Sequence, residues 1–150
     1  MVSNKNKIYL SIIYVIALLY SVFFTPNRLA TNYHYQYNCV PFRKIVIFIM
    51  YQKSSSLHTF FMFGAEIFGN IALFLPMYFA LVYLCKYKFA LGQALLMAAL
   101  FSFIIESVQY ACNAGIGDVD DIILNTLGAF LGSVIYTKNV ASYYKSNKNR

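Results

Sequence analysis

Four long apolar stretches, separated by polar turns and one longer polar segment, set the terms on which this chain can fold. The first runs from Ile8 to Phe24 without a charge. The second, from about Phe60 to Cys85, is interrupted only by Glu66, Asn70 and Pro76. The third runs from Phe89 to Cys112 with Glu106 and Gln109 near its end, and the fourth from Ile122 to Tyr136. Crossing a hydrocarbon core takes about 20 helical residues, so the fourth stretch suffices only if its helix begins at about Asp118. Pro76 would break a helix in water, yet a spanning helix tolerates proline where neighbours satisfy the freed carbonyl. No small-residue cleavage site follows the first stretch, which therefore reads as an uncleaved anchor.

Composition identifies the solvent. Hydrophobic residues make up 60% of the 150 and charged residues 11%, against about 25% charge in an ordinary soluble domain. A soluble domain this small has too little interior to hide that much apolar surface. The expected fold is an all-α membrane protein, a four-helix transmembrane bundle with spans at about 8–24, 60–85, 89–112 and 118–137. Residues 1–137 form one domain, and 138–150 a basic tail expected to lack structure at its end. The net charge of +7 is spread over short flanks without a stripe or a nucleic-acid motif. It suits anionic lipid, and no nucleic-acid partner is expected. Cys39, Cys85 and Cys112 lack metal-ligand spacing and are expected as free thiols in apolar surroundings; whether Cys39 and Cys112 pair stays open.

Basic residues set the orientation. One side holds Lys5, Lys7, Lys86, Lys88, Lys138, Lys145, Lys148 and Arg150; the other holds Arg28, Arg43, Lys44 and Lys53. The richer side is expected to be cytoplasmic, with both termini inside and the segment from Thr25 to Thr59 outside. Within that segment Phe42 to Tyr51 is largely apolar after a basic start, and an interfacial or re-entrant helix is expected there, buried against the bundle. Tyr35, Tyr37, Tyr51, Tyr143 and Tyr144 are expected near the headgroup layers.

All five acidic residues, Glu66, Glu106, Asp118, Asp120 and Asp121, fall at or near the outer ends of the last three helices on this topology. At 100° per residue, Asp118, Asp121 and Asn125 lie within about 60° of one another, and Gly128 and Gly132 extend the stripe inward. Asp120 points nearly the opposite way. Ser102, Glu106, Gln109 and Asn113 share one face of the third helix, and Glu66 and Asn70 lie a turn apart on the second. Each helix thus offers a carboxylate and a carboxamide to a common point, and ionisable groups in spans usually mark function. A plainer reading stands beside this one. Asp118 and Asp121 can cap the last helix, the amides can be interhelical glue, and the glycines a packing seam. Capping does not need Glu66 or Glu106, however. Carboxylates in a span need an arginine, a cation or protonation to neutralise them.

At these residues the sequence resembles the VanZ family, small membrane proteins associated with teicoplanin resistance in Gram-positive bacteria. The resemblance covers about Asn32 to Tyr136. Asn38-Cys39-Val40-Pro41-Phe42 is similar to the family's Asn-Leu-x-Pro-Phe, and Asn70 through Phe74 to Pro76 to its Asn-x-x-x-Phe-x-Pro. Glu106-Ser107-Val108-Gln109 is like its Glu-x-x-Gln, and Asp118 through Asp121, Asn125, Thr126, Gly128 and Gly132 like its closing motif. Two positions depart from the pattern. Tyr78 stands where a glycine is usual, and the turn Gly115-Ile116-Gly117 lacks the arginine that many members place before the first aspartate. The resemblance implies reduced susceptibility to teicoplanin. The candidate cluster read from the helical faces is Glu66, Asn70, Glu106, Gln109, Asp118, Asp121 and Asn125, with Asn38, Pro41 and Arg43 in support. Arg43, which directly follows the Pro41-Phe42 anchor, is expected rather than Arg28 to replace the missing arginine, and its guanidinium can pair bidentately with a carboxylate as a lysine cannot.

Three functions compete. A non-enzymatic envelope protein in the bacterial cytoplasmic membrane would engage the head of a lipoglycopeptide or a lipid-linked cell-wall precursor. An intramembrane enzyme on such a lipid-linked substrate would use Glu66 and Glu106 as acid and base. A transporter is disfavoured, since four helices give no inverted repeat. No cofactor is expected. An oxygen-only ligand set leaves Mg²⁺ or Ca²⁺ as the one candidate ion. His34 and His58 lack partner spacing, and no serine–histidine or cysteine–histidine pair is present. Membrane lipids are the expected surroundings, and the oligomeric state is left open.

Overall fold

The computed structural model describes residues 3–23, 37–51, 57–85, 90–112 and 115–148. In chain order the elements are α1 (Asn4–Phe23), β1 (Tyr37–Asn38), α2 (Arg43–Tyr51), α3 (Leu57–Phe74), α4 (Met77–Cys85), α5 (Leu91–Ala111), β2 (Gly117–Asp118) and α6 (Val119–Lys148). The two strands form one short parallel bridge. Among the described residues, four segments are long and apolar enough to cross a membrane: Asn4–Phe23, Phe60–Cys85, Leu91–Ala111 and Val119–Lys138. Helix α6 continues to Lys148, where the sequence suggested an unstructured end to the tail.

Polarity runs inside out relative to a soluble bundle. Large apolar side chains such as Ile12, Ile16, Phe68, Leu96, Leu100 and Phe103 are exposed around the outside, while Ser102, Glu106, Gln109, Asp118, Asp121 and Asn125 are buried. Lipid tails are as apolar as leucine, so helices here associate through close packing and interhelical hydrogen bonds. The centre of the bundle is accordingly built on small residues. Ala98 and Ala129 are fully buried beside Leu18, Phe74, Met77 and Ile105, and Ala94 beside Tyr78 and Val82.

Helix α6 is the hub and packs along α3, α4 and α5; α1 lies chiefly on α4. The glycine stripe explains how α6 approaches α3 so closely. A Cβ at Gly128 would collide with the Ile71 carbonyl oxygen, and one at Gly132 with that of Leu75. The break at Leu75–Pro76 separates α3 from α4. The Leu73 carbonyl, on the turn before Pro76, accepts a hydrogen bond of 2.8 Å from the Tyr14 hydroxyl of α1. A proline inside a span can be supported by a neighbour in this way.

Helix α2 occupies the position expected for an interfacial segment. Its Phe48 stacks on Phe60 of α3 with ring centroids 4.9 Å apart, while Val46, Ile49 and Met50 on its other side are exposed. It is therefore laid on the bundle along one side, not buried in it. Of the tyrosines expected at the headgroup layers, Tyr37 is exposed and meets Tyr110 edge to face. Tyr35 and the side chains of Tyr51, Tyr143 and Tyr144 lie outside the described residues.

Candidate functional site

The polar cluster is assembled by the parallel bridge. Pairing Tyr37 with Gly117 and Asn38 with Asp118 lays the segment before α2 against the start of α6. The Asn38 side-chain amide then donates to Asp118 Oδ1 at 3.0 Å, and the Asn38 carbonyl oxygen Oδ1 accepts from the Val40 N–H at 3.2 Å. Asp118 immediately precedes α6 and also caps it, since its Oδ1 accepts from the Asp120 N–H at 2.9 Å. That is the bond an N-cap side chain makes to the second helical amide. From α5, Glu106 Oε2 accepts the Asp118 N–H at 3.0 Å. Capping and clustering are therefore simultaneous properties of Asp118.

Asp120 overturns the reading by helical angle. It does point away from Asp118 and Asp121, but into the protein, and it is 1% exposed. Its two carboxylate oxygens accept the N–H groups of Phe42 and Lys44, the amides that open α2. The first turn of a helix has no internal partners for its amides and carries the positive end of the dipole, and a carboxylate answers both needs. It also holds a strained residue. Phe42 has φ 63°, a left-handed conformation that a bulky side chain adopts only when its surroundings enforce it. Pro41, exposed in the turn just before, enters α2 through this corner.

The counter-charge is Lys44, and the expectation for Arg43 is corrected. Lys44 Nζ lies 2.6 Å from Asp121 Oδ1 and 3.1 Å from Asp118 Oδ2, whereas Arg43 is exposed. One residue along a helix is a rotation of about 100°, which takes Arg43 off the face that Lys44 presents. The chemistry also fits. Two carboxylates from neighbouring turns each offer one oxygen, and an ammonium with three rotatable donors bridges them where a planar fork suits a single carboxylate. Burial works against the charged form, but the charge of Asp121, its hydrogen bond and the charges of Asp118 and Glu66 outweigh it and hold the Lys44 pKa above the ordinary lysine value. Asn70 of α3 donates to the same Asp121 Oδ1 at 2.6 Å. Glu66, a turn before it, is exposed on the side of Lys44.

Two members of the expected cluster work elsewhere. Asn125 lies deeper along α6 and donates to Ser102 Oγ of α5 at 2.8 Å. Gln109 donates to the Val22 carbonyl of α1 at 3.0 Å. Both act as interhelical glue, and in each the amide oxygen is buried without a hydrogen-bond partner among the described residues. Ser102, Glu106 and Gln109 do share a buried face of α5; Asn113, His34, Arg28 and the His58 side chain lie outside the described residues. Sequence reasoning missed Lys44 and Asp120. The available signal was that three acids within four residues cannot share one face of a helix, so a second set of donors had to meet them.

Beside this knot opens a cleft of about 320 Å³ between α5 and the bridge. Phe103, Tyr110, Val119 and Ile122 form apolar walls, Glu106, Asp118 and Asn38 the polar floor, and Ser107 and Cys39 the rest of the lining. Cys39, Cys85 and Cys112 are free and exposed, and Cys39 and Cys112 are not bridged. Among the described residues no three His, Cys, Asp or Glu side chains group as metal ligands. The Lys44 ammonium bridges Asp118 and Asp121. Comparison with known proteins gives one match, in which the sequence pattern of the family described as VanZ/LLP1 covers residues 10–141. No curated protein and no solved structure matches the chain.

Proposed function

The chain belongs to the VanZ/LLP1 family, and from that premise we propose that it is a multi-pass protein of the bacterial cytoplasmic membrane that engages the head of an envelope-active amphiphile and thereby lowers susceptibility to teicoplanin and related lipoglycopeptides. The observation that carries this reading is the cleft, with apolar walls beside a buried carboxylate floor. Few, well-placed polar groups in a mostly apolar recess are the usual form of a small-molecule site. The basic split of eight against four supports both termini in the cytoplasm and hence a cleft at the outer interface. An acid–base role for Glu66 with Glu106 draws no support from the geometry, because Glu66 does not line the cleft.

Drug susceptibility in a sensitive host expressing the chain, compared across several glycopeptides, tests the proposal. Expression is expected to raise tolerance of the acylated drugs most. Glu106→Gln and Asp121→Asn are expected to abolish the effect while membrane abundance persists, since these swaps keep shape and hydrogen bonding but remove charge. Unchanged tolerance at normal expression of the native chain would sink the reading. Orientation is checked by thiol labelling of intact cells at positions replaced by cysteine. Asn32→Cys and Ser55→Cys should label from outside, Ser146→Cys only after lysis.

A further inference from the structure

We propose that the bundle holds one anionic phospholipid in a groove between α1 and α4, with the lipid phosphate on Lys7 and an acyl chain in the recess beneath. The groove encloses about 220 Å³ and is separate from the cleft beside the knot. Gln109 of α5 reaches the Val22 carbonyl, so the last turn of α1 shares the end of the bundle that carries the knot. Lys7, near the start of α1, and Tyr83, near the end of α4, therefore stand at the opposite end.

Charge complementarity names the head group. Lys7 is half-buried in the lining, and its ammonium lies 5.0 Å from the centre of the Tyr83 ring. The ring face attracts the cation and fixes its position, yet it covers only one side of a group with three donors. All five acids of the chain, Glu66 included, lie at or beside the knot. Both ion pairs among the described residues belong to Lys44, so no carboxylate of the chain answers Lys7. The bilayer supplies phosphate at a helix end, and basic pockets between spanning helices are where anionic head groups bind.

Beneath Lys7 the groove suits a chain. Leu10, Pro76, Phe79 and Ala80 wall it. Its inner hydroxyls are engaged within the protein: Ser11 Oγ donates to the Lys7 carbonyl at 2.9 Å, and the Tyr14 hydroxyl to that of Leu73 at 2.8 Å. Neither offers a donor to a second head group. Leu10 is exposed, which lets a chain enter sideways from lipid.

Lys5 is the internal reference for a test. It is exposed, absent from the lining and about 200° around the helix from Lys7. The native chain is placed in nanodiscs of phosphatidylcholine, alone or with phosphatidylglycerol, and treated with a small neutral acetylating reagent. Modification at each lysine is read by fragment mass. Phosphatidylglycerol is expected to slow Lys7 relative to Lys5 by about fivefold, the ratio that one lysine contact with anionic lipid supplies. Equal slowing at both lysines would show a diffuse surface charge and overturn the groove as a site. Inorganic phosphate added to the phosphatidylcholine discs is expected to protect neither. Protection of Lys7 by that ion to the same degree would overturn lipid as the ligand. Tyr83→Leu, which removes the ring and keeps an apolar wall, should reduce the ratio to less than about twofold. An undiminished ratio in that variant would place the lipid outside the groove and overturn the site as well.

Discussion

The two halves of α6 are held by opposite means. Its first turn sits in a knot of directional bonds, where Asp118, Asp120 and Asp121 meet Asn38, Lys44, Asn70 and the opening amides of α2. Its middle has almost no polar partner on α3 and depends on the absence of side chains at Gly128 and Gly132. In the knot the identity of each atom matters and size matters little; in the seam the reverse holds. Charge-removing and volume-adding substitutions should therefore separate the halves cleanly.

The largest effect is expected from Lys44→Met. Removing one partner of a buried ion pair leaves the other uncompensated and costs about 3–5 kcal/mol, readable as lost resistance to unfolding in detergent. A loss no larger than that of an exposed charge would mean the knot is solvated and the comparison fails. The pH dependence sharpens this. The folded pKa of Lys44 lies above its ordinary 10.5, so its stabilising contribution is complete below that value. It disappears only as pH rises through the raised folded value. Native protein should thus lose stability in strong alkali by a step that Lys44→Met lacks.

Gly132→Ala comes next. The added methyl meets backbone, which cannot turn aside, and overpacking of this kind costs about 1–3 kcal/mol. Its signature is a lower unfolding temperature with no change in pH profile; a silent Gly132→Ala would show that α3 and α6 are not in close contact. Asp120→Asn should cost about 1 kcal/mol, because one oxygen of the cap survives and the charge does not. Faster proteolysis within residues 37–51, ahead of global unfolding, would report it. Arg43→Ala should change stability by less than about 0.5 kcal/mol, as exposed surface positions do. A loss at Arg43 as large as at Lys44 would contradict the assignment of the counter-charge.

Most of the fold was legible in the sequence because lipid imposes simple requirements, namely length, apolarity and internally satisfied backbone. The glycine seam was legible for a related reason: stacked small residues at helical spacing have few other uses in a span. The site was legible only as a list of acids. Helical angles place Asp118 and Asp121 together, but they are silent about the segment that returns over the bundle. For that reason Asp120 reads as an outlier and Lys44 hides behind a neighbour of the same charge. The cap on α2 and the bridge at Asn38 are tertiary facts, joining residues 76 to 80 positions apart. Gln109 and Asn125 fit the cluster by type and spacing, yet each found a nearer partner on another helix.

The parallel bridge also dictates an order of assembly. Asn38, Lys44, Asn70 and Glu106 all leave the ribosome before Asp118, Asp120 and Asp121, which are their partners. The nascent chain must therefore release three helices into lipid before these partners at the start of α6 emerge. The entry of α6 supplies these partners by bringing its first turn against residues 38–44. The last helix acts as a keystone, and chains halted before residue 118 should be the species that membrane proteases recognise and remove.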